Sequence, residues 1–396
     1  MPKASPRPRA AAPATRLSNF QYFLILTVIS VLNVCFFLGL GFSPSHVRCS
    51  TDLVVQFVNL YLENNGATAI GDILPETCAK PAQKSSDEFE RSIREIVARC
   101  LNITQRKIMK KLRERPLLTL FTTFADHIHT NTEKLFVHNN TLMNWARFKP
   151  HANVILFTND SVWDDIAKQN GWETISISEQ AERPPELREM FRLAYERFDT
   201  PWYGYANADI LFTNQLIVTL EDLSDKGNFT EKSVLLTGRR TNIEKISLVN
   251  ARSDGNLTKH ARDYGTLYRE DAEDYFIATK PFPWQRILPV VVGRPGYDNW
   301  LVAEARCKLH TDVVDVTETI LAIHQTTEKG GNNEGHYHPR STLNFDLFKQ
   351  NKIKPNYLAG LTSCIPYFTY TDFCDVVSVE ARSRDHFGPR CGCGVR

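Results

Sequence analysis

The stretch WYGYANADILF, residues 202–212, decides the fold. It is apolar and aromatic along almost its whole length, as is typical of a strand buried on both faces of a parallel sheet. Two polar residues, Asn207 and Asp209, interrupt it before Ile210. They are two positions apart in the predicted strand, so their side chains share one face. A carboxylate there is costly to bury unless it is paired, hydrogen-bonded or metal-bound, so Asp209 is either a buried turn residue or a metal ligand near a phosphate.

Three more buried strands and three helices are predicted upstream of this stretch. The strands are LLTLFTTF at 117–124, ANVILFTND at 152–160 and ETISIS at 173–178. Helices are predicted at 133–148, 162–170 and 185–198, the last of them from apolar residues at helical spacing. This alternation predicts an α/β fold, in which a mostly parallel sheet is flanked by helices on both faces.

Polar residues at the carboxyl ends of these strands are candidate site residues, because ligands of such sheets bind beyond those ends. The candidates are Thr122 and Thr123, Asn159 and Asp160, and Asn207. For the two threonines and for Asn159 and Asp160, ordinary turn chemistry is the alternative.

Two strands predicted further downstream add charged candidates. VLLTGRR, residues 234–240, ends in Arg239 and Arg240. Either arginine can neutralise a phosphate or carboxylate, and a surface salt bridge is the alternative. DYFIATK, residues 274–280, is a further predicted strand.

The segment VVVGRPGYDNWLV, residues 290–302, runs from a buried strand through a sharp loop into an apolar helix. Asp298 lies where this helix starts. It either caps the helix or acts as a general base above the pocket. If Asp298 is a general base, Asn299 and Trp300 line the acceptor pocket, which binds the molecule that the base deprotonates.

His324 ends the predicted strand ETILAIHQ, residues 318–325. A single histidine in this position is either a core residue or a ligand. A histidine, an aspartate and phosphate oxygens together suit a hard divalent ion such as Mn²⁺.

The run from Phe20 to Phe42 contains no charged residue and, as a helix, is about 34 Å long, enough to cross a bilayer core. Four bases precede it and only Arg48 follows it within 20 residues, so the positive-inside rule places residues 1–19 in the cytosol. A cleaved signal peptide is the alternative, but its apolar region spans only about 7–15 residues. The sequence therefore predicts a single-pass type II membrane protein.

The N-glycosylation sequons and the cysteines indicate that the residues after the predicted span lie outside the cytosol. The sequons are Asn102, Asn139, Asn159, Asn228 and Asn256. Eight of the nine cysteines follow the predicted span, which suggests up to four disulfides in an oxidising compartment. Zinc binding by the last four cysteines is the alternative.

The charge distribution argues against a nucleic-acid partner. The chain has 47 Lys and Arg against 45 Asp and Glu, but residues 1–19 hold four of the bases and no acid. The remainder is slightly acidic and lacks the basic footprint of a nucleic-acid binder. The basic stretch 106–115 is interpreted as a solvated helix face. A multi-span membrane protein is excluded because only one long apolar run exists.

These motifs, in this order, resemble Golgi-type glycosyltransferases of the GT-A fold. Those enzymes hold a divalent ion with an Asp-x-Asp motif, to which Asn207-Ala208-Asp209 corresponds with Asn in the first position. The loop 293–300 resembles the Gly-x-Gly-Gly-Glu-Asp loop of inverting β-1,4-galactosyltransferase-like enzymes, with Asp298 at the base position. His324 matches their metal-binding histidine.

A closer resemblance is to a poorly characterised group of nucleotide-diphospho-sugar transferase-like proteins, on the motifs LTLFTTF, NADI, DYF, GRPGYDNWL and IHQ. It implies a GT-A-like domain at 117–345, preceded by a membrane anchor at 20–42 and a lumenal stem with a helix at 43–116. A Cys-rich extension follows at 346–396. The implied location is the Golgi membrane with the catalytic domain in the lumen.

The resemblance implies a metal-dependent transfer of sugar from a nucleotide sugar to a glycan or glycoprotein acceptor, with inversion. Asp209 and His324 then hold Mn²⁺ or Mg²⁺, Asp298 is the catalytic base, and Asn299 and Trp300 line the acceptor pocket. The nucleotide-sugar residues implied are Thr122, Thr123, Asn159, Asp160, Asn207, Arg239 and Arg294. Because Asn207 removes one acid from the metal site, a membrane-anchored, non-catalytic GT-A-like protein that binds a glycan or a partner is the alternative.

Overall fold

The computed structural model describes residues 116–124, 132–177, 184–227, 229–326, 334–372 and 374–394. The predicted cytosolic tail, membrane anchor and stem lie outside these residues, apart from Pro116. So do the sequons at Asn102 and Asn228. No helix within the described ranges is long and apolar enough to cross a membrane.

A nine-stranded main sheet forms the centre of the described unit, in the order β13-β12-β10-β6-β9-β4-β1-β2-β3. Its first four strands in the chain pair in parallel. β9 runs antiparallel to both β4 and β6, and β13 runs antiparallel to β12. The strands are β1 Leu118–Thr123, β2 Ala152–Phe157, β3 Glu173–Ile175, β4 Trp202–Ala206, β6 Val234–Thr237, β9 Tyr275–Thr279, β10 Asp312–Asp315, β12 Tyr367–Thr371 and β13 Val377–Ala381.

A small sheet of four strands stands beside the main sheet, in the order β5-β11-β7-β8. Its strands are β5 Ile210–Phe212, β7 Arg240–Glu244, β8 Thr266–Leu267 and β11 Ala322–Thr326. β11 pairs antiparallel with β5 and parallel with β7.

The expectation of one continuous strand over 202–212 is wrong. β4 ends at Ala206, and Ile210 begins β5 in the other sheet. The intervening residues turn, because the backbone N–H of Ile210 donates to the carbonyl of Asn207 and the N–H of Asn207 donates to the carbonyl of Asp274. Asn207 and Asp209 therefore do not share the face of a single strand.

Helices cover both faces of the main sheet, as the strand–helix alternation predicts. They are α1 Thr132–Ala146, α2 Ser161–Gln169, α3 Leu187–Arg197, α4 Gln215–Ser224, α5 Leu248–Arg252, α6 Asp254–Tyr264, α7 Asp298–Cys307, α8 Glu334–Tyr337 and α9 Leu343–Gln350. Leu120 of β1 packs with Trp145 and Trp163 on one face. The next residue, Phe121, points to the other face and packs with Phe191 and Trp300.

The main sheet continues past residue 345, because β12 and β13 lie in the Cys-rich segment and β12 pairs with β10. Disulfides Cys307–Cys393 and Cys364–Cys391 join this segment to α7 and to itself. Cys374 is also disulfide-bonded. The last four cysteines are therefore used in disulfides, which removes the zinc alternative.

Candidate active site

Asp209 and His324 lie side by side where the two sheets meet. Ile210 is the ladder partner of His324 in the β5–β11 pair, and the N–H of Gln325 donates to the carbonyl of Asp209 at 3.0 Å. This register places Asp209 Oδ2 3.2 Å from His324 Nε2, and the histidine is only 2% exposed. The predicted pair is thus brought together, although the two residues are 115 positions apart in the chain.

The charge of Asp209 is stabilised by its surroundings. Burial alone favours the neutral carboxyl, but His324, Lys134 and Arg240 outweigh it and hold the pKa of Asp209 below its usual value. Asp209 is therefore ionised at neutral pH. Its second oxygen, Oδ1, is buried without a hydrogen-bond partner, as is His324 Nδ1.

This pair suits a divalent ion as two of its ligands. Neighbouring ligands about 2.1 Å from an octahedral ion lie about 3 Å apart, close to the separation of Asp209 Oδ2 and His324 Nε2. Within the described part of the chain, no group of three or more His, Cys, Asp or Glu side chains is arranged around a possible ion. Water and substrate oxygens would have to supply the other ligands, which is how Mg²⁺ is commonly held in phosphate-binding sites.

Asn207 binds a neighbouring carboxylate. Its Nδ2 donates to Asp274 Oδ1 at 2.6 Å, and its Oδ1 accepts from the hydroxyl of Tyr205 at 2.8 Å. The other oxygen of Asp274 pairs with Arg240, and both side chains are almost fully buried. The amide of Asn207 is therefore committed to this network.

Asp298 is the first residue of α7, and the pKa of its carboxyl lies near neutral pH. Burial raises its pKa to about 7, with help from the charges of Asp274 and Asp271, while backbone N–H groups at the helix start oppose the shift. The capping alternative does not apply in its simple form, since the N-cap position is Tyr297. A carboxyl with a pKa near 7 is suited to act as a general base.

Asn299 and Trp300 point into the protein from the first turn of α7. Asn299 is 8% exposed, and its Nδ2 donates to the buried Glu273 Oε2 at 3.0 Å. Trp300 is 1% exposed and packs against Phe348. Neither side chain lies on the open surface, so the acceptor-lining role stays a prediction for both.

The other strand-end residues are held by local contacts. Thr122 is buried with its hydroxyl unpartnered, and Thr123 is half-buried. Asp160 caps α2 by accepting from two backbone N–H groups, and Asn159 exchanges two hydrogen bonds with the backbone of Ile177. Turn chemistry explains Asn159 and Asp160, and a nucleotide role for these four residues stays a prediction.

Neither Arg239 nor Arg294, the two predicted phosphate arginines, is among the charges that act on Asp209. Arg239 Nε donates to the carbonyl of Tyr268 at 2.6 Å. Arg294 donates to the carbonyl of Gly293, and the charge that acts on it is that of Arg340. The charges that act on Asp209 are instead those of His324, Lys134 and Arg240.

Sequence analysis missed Lys134, Glu273 and Asp274. Lys134 follows no strand and comes from the first turn of α1. Glu273 and Asp274 directly precede β9, and the DYF motif that begins at Asp274 was the available signal.

A cavity of about 430 Å³ opens beside Gln325, next to His324, and lies between α1 and the segment 245–247. Its volume is within the range of ligand pockets. Its lining consists of Thr132, Glu133, Phe136, Val137, Lys245, Ile246, Ser247, Gln325 and Thr326. None of the predicted nucleotide-sugar residues is among them.

The described sequons differ in accessibility. Asn139 is half-buried within α1, Asn159 is exposed but engaged with Ile177, and Asn256 is exposed on α6. Glycosylation at each stays a prediction.

No protein-family model and no curated protein sequence matches this chain. Solved structures match with low scores. One is glucosyl-3-phosphoglycerate synthase from Mycobacterium tuberculosis, in complex with Mn²⁺, UDP and glucosyl-3-phosphoglycerate (TM-score 0.33, 10% identity, 62% of this chain and 82% of that one). Others are a mycobacterial protein (TM-score 0.30, 12% identity, 67% and 84%) and UDP-glucose pyrophosphorylase with UDP-glucose (TM-score 0.25, 10% identity, 59% and 99%). Because all three TM-scores are low, any proposed chemistry rests on the residues of the site.

Proposed function

We propose that this protein is a metal-dependent glycosyltransferase, which moves a sugar from a nucleotide sugar to a glycan or glycoprotein acceptor with inversion. The observation that carries the proposal is the buried contact between Asp209 and His324, 3.2 Å apart at the junction of the two sheets. An ionised carboxylate beside an imidazole, with an unpartnered carboxylate oxygen, is a reasonable pair of ligands for Mn²⁺ or Mg²⁺.

A bound ion would offset the negative charge that develops on the leaving diphosphate. Lys134 and Arg240 add positive charge on the same side, since both act on Asp209. Asp298 accepts the proton of the acceptor hydroxyl while that oxygen attacks the sugar. A single displacement of this kind inverts the configuration of the transferred sugar.

The experiment is thermal unfolding of the full-length protein in detergent with a panel of nucleotide sugars, in the presence and absence of Mn²⁺. A donor at about 100 times its dissociation constant should add about 2.7 kcal/mol of stability. We expect one donor to give this effect with Mn²⁺, and we expect EDTA, Asp209→Asn and His324→Gln to abolish it. Asp165→Asn, an exposed acid on α2, is the matched control.

A second candidate is a membrane-anchored protein that binds a glycan or a partner without catalysis. Asn207 favours it, because this amide is committed to Asp274 and Tyr205 and is no metal ligand. A folded protein that is stabilised by no donor, but that binds glycans on an array, would favour this second function over the first.

We further propose that the protein resides in the Golgi membrane as a single-pass type II protein. The charge-free run 20–42 and the bases that precede it support this orientation. Protection of the body from protease in sealed vesicles, combined with N-glycans on it, is the expected result. Digestion of the body in sealed vesicles would contradict the orientation.

A further inference from the structure

Asn242 lies beside His324 on the same face of the small sheet. The two residues are partners in the parallel ladder of β7 and β11, whose strands run about 4.8 Å apart. Residues that are level in such a ladder point to the same face of the sheet. Next to them in the chain, Ile243 and Ile323 belong to one apolar cluster on the opposite face. Asn242 and His324 are therefore immediate neighbours on the face that this cluster does not cover.

This face of β7 is turned towards Asp209. Arg240 and Asn242 are two positions apart in the strand, so their side chains share a face. The charge of Arg240 is among those that act on Asp209. The carboxylate Oδ2 of Asp209 in turn lies 3.2 Å from Nε2 of His324. The amide of Asn242 thus belongs to the surroundings of the pair that the proposed function assigns to a divalent ion.

Three polar side-chain atoms around this pair are buried without a hydrogen-bond partner. They are Asp209 Oδ1, Asn242 Oδ1 and His324 Nδ1. Buried polar groups in folded proteins almost always have a partner, so three such atoms on neighbouring side chains point to a function. Two of them are complementary, because an amide oxygen only accepts a hydrogen bond and an imidazole nitrogen that carries a proton donates one.

The position of the imidazole proton decides whether these two atoms attract each other. Nε2 of His324 faces the carboxylate of Asp209, and a proton on Nε2 satisfies both groups. A neutral imidazole has a single proton, so binding of a cation through Nε2 leaves that proton on Nδ1. Histidines that bind metal ions almost always donate the other ring N–H to an acceptor. Asn242 Oδ1 is an unpartnered acceptor on the neighbouring strand.

We propose that Asn242 is a positioning residue of the ion site, whose Oδ1 accepts the hydrogen bond of His324 Nδ1–H and so holds Nε2 towards the ion. The inference rests on the proposed function and deepens it. Rotation of the amide or one bridging water closes the distance between the two atoms. Asn207 does not compete for this task, because its amide is committed to Asp274 and Tyr205.

The test measures the affinity of the full-length protein in detergent for Mn²⁺ alone, by electron paramagnetic resonance of the free ion. Asn242→Ala removes the acceptor and should weaken Mn²⁺ binding about 10- to 100-fold, as the loss of such a hydrogen-bond partner commonly does. Asn242→Asp keeps an acceptor of the same shape and should bind Mn²⁺ at least as tightly as the wild type. Urea unfolding without Mn²⁺ verifies that both variants are folded.

Thr266 supplies the matched controls, because it is exposed and is level with Asn242 on the other side of β7. Thr266→Ala should leave the Mn²⁺ affinity unchanged. The double variant Asn242→Ala with Thr266→Asp adds a negative charge near the site but gives His324 no acceptor. It should therefore bind Mn²⁺ as weakly as Asn242→Ala.

Each contrary outcome has its own meaning. Equal Mn²⁺ affinity of Asn242→Ala and the wild type would overturn this inference and leave the proposed function standing. Recovery of the affinity in the double variant would also overturn it, since a nearby charge alone would then be enough. A wild type that binds no Mn²⁺ would overturn the proposed ion site and this inference together.

Discussion

Asn207 donates a 2.6 Å hydrogen bond from its Nδ2 to Oδ1 of Asp274, and this contact ties the end of β4 to the start of β9. Asp274 is held on its other side by Arg240. At the position that the GT-A resemblance gives to the first acid of Asp-x-Asp, the chain therefore has a neutral donor. Asn207 binds the carboxylate of Asp274, which directly precedes β9.

Restoring the acid with Asn207→Asp should destabilise the protein. Two carboxylates within hydrogen-bond distance cannot both ionise, so the pKa of one of them rises. A carboxyl whose pKa is raised by folding contributes stability at low pH, and that contribution is lost as the pH rises through the raised value. We therefore expect a lower melting temperature than wild type at pH 7.5 and a smaller difference at pH 4.5.

Gln285→Glu adds the same charge at an exposed position and serves as the control. An Asn207→Asp protein that keeps its melting temperature and gains Mn²⁺ affinity would show that the position is a latent metal ligand instead.

Asp298→Asn should stabilise the folded protein at neutral pH. Asp298 has a pKa of about 7 when folded, against its usual value of 3.8. Between these values the unfolded chain ionises and the folded chain does not, so the wild type loses stability as pH rises and the variant does not. The advantage of the variant should grow from pH 4 to pH 7, reach on the order of 4 kcal/mol, and then stay constant. Urea unfolding at several pH values measures it, and a difference independent of pH would contradict the burial of this carboxyl.

The rate of sugar transfer should depend on the ionisation of Asp298. A base with a pKa of about 7 must be deprotonated to accept the acceptor proton. We expect kcat/KM to rise about tenfold per pH unit below pH 7 and to level off above it. Asp298→Asn should abolish transfer and keep Mn²⁺-dependent donor binding. A rate that is flat from pH 5 to pH 8 would assign the base role to another group.

The ion pair of Arg240 with Asp274 should couple strongly in unfolding experiments. Arg240→Met leaves a buried carboxylate without its counter-charge, and such losses cost about 3–5 kcal/mol. Asp274→Asn can still accept the hydrogen bond from Asn207. The double variant should therefore cost much less than the sum of the single variants. Additive losses in urea unfolding would mean that the pair is solvated.

The strands of the main sheet were predictable where burial alone identifies them. Leu118–Thr123 and Ala152–Phe157 lie within the apolar runs that predicted them. The run 202–212 was wrongly predicted as one strand, because apolar residues indicate that a segment is buried but not which strand it pairs with. A turn at Asn207 moves the chain into the small sheet, and its apolar residues are buried on either side of that turn.

The candidate site was predictable only in part. Asp209 lies just beyond the end of β4, where ligands of α/β sheets bind, so local pattern was enough for this residue. His324, expected at the end of a strand over 318–325, is instead the middle residue of β11, Ala322–Thr326. Asp274 and Lys134 were not predictable, because their position depends on β9 running antiparallel to β4 and on the direction of α1. Those are long-range properties of the fold. The sequence left the role of Asp160 open between turn residue and nucleotide ligand, and the structure shows that it caps α2.

The last prediction concerns Gly360, which lies against the first turn of α7. A Cβ at this position would be 1.7 Å from the carbonyl oxygen of Asn299, so any side chain must displace that turn. Arg306 keeps the contact tight by donating to the carbonyl of Ala359. Asp298 is the neighbour of Asn299, and a shift of about 1 Å at a catalytic group can cost a hundredfold in rate.

Gly360→Ala should therefore reduce kcat about a hundredfold and leave Mn²⁺-dependent donor binding near the wild-type level, since Asp209 and His324 lie on other elements. Gly255→Ala, where a Cβ meets no atom within 4 Å, is the matched control. Because Gly360→Ala also strains the fold, kcat is compared at a temperature where both variants are fully folded. Unchanged transfer by folded Gly360→Ala would mean that the start of α7 does not position the base.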